Sequence, residues 1–195
     1  RIGRSTGGIS ASRLISAKRD SDEAAAYVIL RGKAVADKTG ELLAILTDTL
    51  TDARLDNRDR IRQMVAQNKA HLEAGLVPSG HQIVFSRLRA SLHEADWANE
   101  QCSGISQLVF LRELSNRIES DWASVEADLF AIRDHLINAG AAIFNVTTDA
   151  AMFEGFSREL ADFAGTLPRK SFVRQDWSPL PAPGNEGLTI PAQVR

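Results

Sequence analysis

The run His93-Glu94-Ala95-Asp96-Trp97 carries the residue types with which one class of zinc peptidase begins. In HExxH, two histidines one helical turn apart hold the metal, and the glutamate takes a proton from its bound water. Here Trp97 stands where the second histidine must be, and the inverted form HxxEH occurs nowhere in the chain. A zinc site needs three protein ligands converging on one point. His71, His81, His93 and His135 fall on different expected elements without ligand spacing. Nucleophilic chemistry is equally poorly served. Gly8-Ile9-Ser10-Ala11-Ser12 lacks the second glycine of a nucleophile elbow. Cys102 is a lone thiol near an expected helix boundary and reads as structural. Gly32-Lys33 runs into Ala34, without the glycines of a phosphate loop, and no GxGxxG is present. The expectation is a chain with no catalytic residue and no metal ligand of its own.

The elements that would position any site are a β opening followed by a long helical block. Ile9, Ala11 and Arg13 alternate with Ser10, Ser12 and Leu14. After a polar break at residues 19–23, the apolar run from Ala24 to Leu30 continues into Arg31-Gly32-Lys33, predicting two adjacent strands. Leu42, Leu43, Leu46 and Leu50 then form a helical stripe, and Ile61, Met64, Val65, Asn68 and Leu72 a second. Asp56 is the expected N-cap of the latter and Gly75 its C-cap. Ser79-Gly80-His81-Gln82 has capping-box form, opening a helix with Phe85, Leu88, Leu92 and Ala95 inward. Ile105, Leu108, Leu111, Leu114 and Ile118 continue the pattern, then Trp122, Val125, Leu129, Ile132 and Leu136, ending near Asn138-Ala139-Gly140. Residues 141–147 have strand composition. Met152, Phe153, Phe156, Leu160 and Phe163 mark a last helix stopped by Pro168.

Four of the six prolines lie between residues 168 and 187, which therefore reads as a linker. Residues 188–195 read as the first strand of a following domain. Strand-like runs at both ends lead to the expectation of a segment from a longer polypeptide. The order implies an α+β domain, its sheet mostly antiparallel with a large helical layer packed on one face.

The 195 residues suffice for one sizeable domain, and 44% hydrophobic with 25% charged residues is ordinary for a globular protein. A net charge of -2 and a pI near 6.1 give no electrostatic reason to expect nucleic acid or a membrane surface as partner. Arg54, Arg58, Arg60 and Arg62 cluster, but with Asp56 and Asp59 among them they read as a solvated helix face. One cysteine excludes an internal disulfide, and no apolar run approaches the length of a membrane span.

Several segments, in order, resemble the presequence-protease branch of the pitrilysin/insulinase family, the inverted-zincin metallopeptidases. Gly3-Arg4-Ser5-Thr6-Gly7-Gly8-Ile9-Ser10 resembles the strand that opens the C-terminal half of those enzymes. Arg31-Gly32-Lys33 sits at the end of the next strand, and Ser79-Gly80-His81 resembles a helix-starting turn. Trp97, Glu100, Gln101, Gly104, Ser106, Leu108, Phe110 and Leu111 follow the branch's Trp-x-x-Glu-Gln…Gly-x-Ser-x-Leu-x-Phe-Leu pattern. Asp121-Trp122, Asn145-Val146-Thr147 and Ile190-Pro191-Ala192-Gln193-Val194 extend it over nearly the whole chain. Cys102-Ser103 departs from it, since a second glycine is common before Gly104.

The resemblance implies four homologous α+β domains in two halves, closing around a chamber that admits only unstructured peptides. It implies zinc and the catalytic glutamate in the first, N-terminal domain, and substrate-positioning Arg and Tyr residues in the fourth. This chain would be the third, non-catalytic domain (residues 1–167), with a linker (168–187) and the first strand of the next domain (188–195). It would bind no cofactor itself. Its partners would be the remaining domains and peptide substrates, in bacterial cytoplasm or in a mitochondrial matrix or plastid stroma. Candidate chamber or interdomain contacts are Gly7, Gly8, His81 and Trp97. The glycines can equally relieve crowding at a bend, His81 can merely start a helix, and Trp97, like Trp122, can pack a core or interdomain surface. Two other readings are a scaffold subunit of the same family without zinc, and a free-standing helical interaction domain.

Overall fold

The computed structural model describes residues 6–21, 23–173, 177, 180, 182 and 184–190. Gly3, Arg4, Ser5, Pro179, Pro181, Pro183 and residues 191–195, on which some expectations rest, lie outside them. Two strands, β1 (Ile9–Ala17) and β2 (Ala24–Gly32), pair as a two-stranded sheet. Seven helices follow among the described residues: α1 (Thr39–Thr51), α2 (Arg58–Gly75), α3 (Gly80–Arg89), α4 (Glu94–Ser103), α5 (Ile105–Ser120), α6 (Trp122–Leu136) and α7 (Ala150–Thr166). The α+β class and the antiparallel pairing are as the sequence predicts. The turn of the hairpin is closed by Lys18 N–H donating to Glu23 O at 3.0 Å and by the Lys18–Glu23 ion pair at 2.6 Å. Asp20 takes a left-handed φ of 56° there, a conformation its short polar side chain tolerates.

The chain divides into two compact units, residues 1–12, 28–55 and 126–174, and residues 13–27, 56–125 and 175–195. In the first, α1 packs on α7. Leu43, Ala139, Phe163 and Leu167 form its buried core, with Leu46, Leu50, Phe156 and Leu160 against them. In the second, α5 packs on α2 and α4, and α3 on α4. Leu108, Leu111 and Ile118 of α5 are buried, as are Val65 of α2, Ala95 and Ala98 of α4, and Val125 at the start of α6.

Several local expectations are corrected. Residues 141–147 are irregular: Ile143 is exposed, and Phe144 turns edge-on to Phe163, centroids 6.0 Å apart. Strand composition without a neighbouring strand to complete its hydrogen bonds does not make a strand. The N-cap of α2 is Asn57, whose Oδ1 accepts from Arg60 N at 3.0 Å, and Gly75 is its last residue rather than its cap. Ser79 precedes α3, but its side chain makes no capping bond. Phe85, Leu88 and Leu92 point to solvent, and Ala95 belongs to α4. Ile132 and Leu136 are also exposed. Residues 188–190 join no described strand.

Helix α6 ends at Leu136, and the next turn clamps the chain that leaves α7. Ala139 N donates to Pro168 O at 2.8 Å. The buried Asn138 accepts from Lys170 N at 3.0 Å and from Gly140 N at 2.9 Å, and donates to Lys170 O at 3.1 Å. One amide thus satisfies three backbone groups. Asn138→Ala strands them, so a loss of about 2 kcal/mol is expected, read as a lowered urea midpoint. A midpoint within error of the parent would show that water replaces the amide.

Candidate functional site

The densest polar constellation is a corner in the second unit, where α4 stops and α5 starts after a single residue, Gly104. Glu100, on the last turn of α4, has a fully buried side chain. A buried carboxylate is tolerated only when its oxygens are occupied. Its Oε1 accepts from Ser106 N at 3.0 Å, capping the first turn of α5. Its Oε2 accepts from Arg87 Nη1 at 3.2 Å and from Gln101 Nε2 at 3.1 Å. Gly104 is required by space: a Cβ there would lie 2.7 Å from Glu100 Oε1 and 2.8 Å from its carbonyl oxygen.

Arg87 joins this corner to a residue far along the chain. Its Nη1 also donates to Ser106 Oγ at 3.2 Å, while Nε and Nη2 grip Glu186 at 2.6 and 2.8 Å. The hydrogen bonds to Glu186 push the Arg87 guanidinium further up from its ordinary range, and they hold the Glu186 carboxyl below its own. Nearby, Trp97 meets Trp177 with centroids 5.6 Å apart and planes at 47°. The inward turn of Arg87 also accounts for the exposed apolar stripe of α3. The buried carboxylate draws the arginine side of this ten-residue helix inside, with Ile83 and Ala90, and leaves Val84, Phe85 and Leu88 in water.

The residues singled out from sequence fall as follows. Gly7 and Gly8 lie in the first unit, before β1. Gly7 N donates to Lys33 O at 2.8 Å, and a Cβ on Gly7 would meet the Lys33 side chain at 2.7 Å. Gly8 has φ +110°, a conformation closed to most side chains, with open space around it. His81 and Trp97 belong to the second unit, His81 exposed in the first turn of α3 and Trp97 half-buried against Trp177. The HExxH-like pair is structural. His93 Nδ1 caps α4 by accepting from Ala95 N at 3.0 Å, and the Glu94 carboxylate accepts from Ala24 N, at the head of β2, at 3.0 Å.

Chemically, this corner positions chain. No buried side-chain nitrogen or oxygen among the described residues lacks a hydrogen-bond partner, so Glu100 is not poised as a general base. Nor do three or more His, Cys, Asp or Glu residues gather among them as a metal group, so they do not fit the zinc that the family resemblance implies. A recess of about 260 Å³ in the first unit holds Asp134, His135, Lys170 and Phe172 in its lining. Its two best-placed charges are spent on one another: Lys170 Nζ lies 2.5 Å from Asp134 and holds that carboxyl below its usual range. No helix among the described residues is long and apolar enough to cross a membrane. Arg87 and Glu186 were not singled out from sequence; lying 99 residues apart, they leave no local signal.

Comparison with known proteins defines the class. Residues 1–114, more than half of the chain, match the peptidase-associated domain family of metallopeptidase family 16, subfamily C. This chain belongs to that family. It is 34% identical over 194 residues to presequence protease 1, chloroplastic/mitochondrial, of Arabidopsis thaliana, covering 99% of this chain and 18% of that protein. It is 24% identical to protein HypA of Clostridium perfringens, covering 98% of this chain and 20% of that protein. It is 23% identical to the mitochondrial presequence protease of Gibberella zeae, covering 97% and 20%. The chain thus spans about a fifth of the length of these relatives.

Proposed function

We propose that this chain is a non-catalytic domain of a zinc metallopeptidase that degrades short, unstructured peptides of the targeting-peptide type inside a closed chamber. The observation that carries the reading is the match to a presequence protease along 99% of this chain but only 18% of the relative. Residues 1–167 would form the third domain, 168–187 the linker and 188–195 the first strand of the next. Zinc and the catalytic glutamate would lie in the N-terminal domain of the same polypeptide. The mitochondrial and chloroplastic names of the relatives favour a mitochondrial matrix or plastid stroma; a bacterial source would place the protein in the cytoplasm. Support also comes from the exposed stripe Val84, Phe85, Leu88 and Leu92, which suits a surface covered by the remaining domains and argues against a free-standing module. Of the candidate contacts, exposed His81 is free to face a chamber, whereas Trp97 is engaged with Trp177.

The test is to isolate the native polypeptide carrying this chain, weigh it, measure its zinc, and offer it a synthetic targeting peptide. The expected species is about five times 21.3 kDa, since the chain spans 18% to 20% of its relatives. It should hold zinc and cut the peptide until a chelator removes the metal. A species of 21.3 kDa overturns the reading. A heavy, zinc-free polypeptide that leaves the peptide intact overturns it in favour of a scaffold.

A further inference from the structure

Residues 168–187 read as a free tether from their prolines, yet the two well-separated anchors described above, Trp177 and Glu186, are both engaged. We propose that Arg87 and Trp97 form a releasable clasp that holds the chain at Trp177 and Glu186 against α3 and α4. The clasp fixes the path by which the polypeptide leaves this domain. It does not depend on the peptidase reading.

Three features carry the inference. First, the grip is bidentate, with Arg87 Nε and Nη2 each donating to a different oxygen of Glu186. That fork geometry is the strong form of a carboxylate contact. Second, Arg87 is aimed before Glu186 arrives. Its remaining nitrogen, Nη1, is held by the buried Glu100 and by Ser106 Oγ. An ordinary surface pair loses most of its gain in freezing two long side chains. Here one of them is already fixed, so that loss is smaller. Third, the contact is reversible. The Glu186 side chain is 55% exposed, and on leaving it regains water, while Arg87 keeps two acceptors and no buried charge is orphaned. The Trp97–Trp177 contact supplies a second, apolar point of attachment that salt does not screen.

The test is deuterium exchange of the native polypeptide, comparing the parent with Glu186→Gln, Trp177→Ala and the double variant. Arg87→Ala is unsuitable because it would also strip the buried Glu100 of a partner. Each single variant is expected to raise uptake in peptides covering residues 184–190 by about fivefold, with the helical peptides of residues 105–120 unchanged. The second substitution should add less than the first, since both anchors hold one segment. Raising sodium chloride from about 0.05 M to about 0.5 M should speed exchange there in the parent and not in Glu186→Gln. Unchanged uptake at 184–190 in Glu186→Gln overturns the clasp. So does a rise that spreads equally through residues 105–120, which would make the contact part of the general fold.

Discussion

Replacing Glu100 by alanine is expected to lower the unfolding free energy by about 3 kcal/mol, the low end for breaking a buried ion pair. The low end applies because Arg87 is not left alone; it keeps Glu186 and Ser106 Oγ. Three losses add up. Ser106 N loses the acceptor that caps α5, worth about 1 kcal/mol at a typical helix start. Gln101 Nε2 and Arg87 Nη1 each lose an acceptor. A void opens beside Gly104, whose missing side chain cannot refill it. At a urea m-value of about 2 kcal/mol/M, the midpoint should fall by about 1.5 M. Glu100→Gln, which keeps the volume and one acceptor oxygen, should fall between parent and alanine. A shift in Glu100→Ala under about 0.5 kcal/mol, the range of an ordinary surface change, would mean that the corner is not built around the carboxylate.

Ile118→Ala should be as damaging for a different reason. Ile118 has 0% exposure, in the helix that packs on both α2 and α4. Removing its branched side chain there costs the transfer of three buried carbons plus an unrelaxed cavity, about 3 to 4 kcal/mol. Ile132→Ala is the matched control, with the same chemistry at a residue 54% exposed. Its cost should stay below about 1 kcal/mol, because little apolar area is removed from water there to begin with. From sequence both isoleucines sit in core-facing stripes, so equal urea midpoints for the two variants would contradict the observed burial.

Periodicity was informative where packing and polarity agree. The stripe of Leu108, Leu111 and Ile118 is buried as its spacing predicts, and Val125 with it. It failed on α3, where Phe85 and Leu88 are exposed and Arg87 is turned in, because a hydrophobic stripe cannot show that a carboxylate thirteen residues away claims the opposite face. Residues 141–147 failed for a related reason: β composition states a preference, whereas a strand also needs a neighbour. Capping depends on a single rotamer, which explains why Asn57 caps α2 in place of Asp56 and why Ser79 makes no capping bond. Of the corner, Glu100, Gly104 and Ser106 stood in the family-like pattern, and their geometry explains their order: acceptor, vacancy, donor. Their long-range partner Glu186 had no such local mark.

The bond from Ala139 N to Pro168 O has a consequence for how this chain tolerates change in length. The polypeptide enters and leaves the excursion that contains α7 at a single doorway, latched by Asn138. What happens inside the excursion need not be transmitted beyond it. The stretch from Asn145 to Thr148 is irregular and largely exposed, so residues added there displace no ladder and little core. Doubling such a loop costs only about 0.6 kcal/mol in closure entropy. The doorway makes this stretch the place where the domain can accept a foreign sequence, such as a tag or a reporter, with its two ends still meeting where they did.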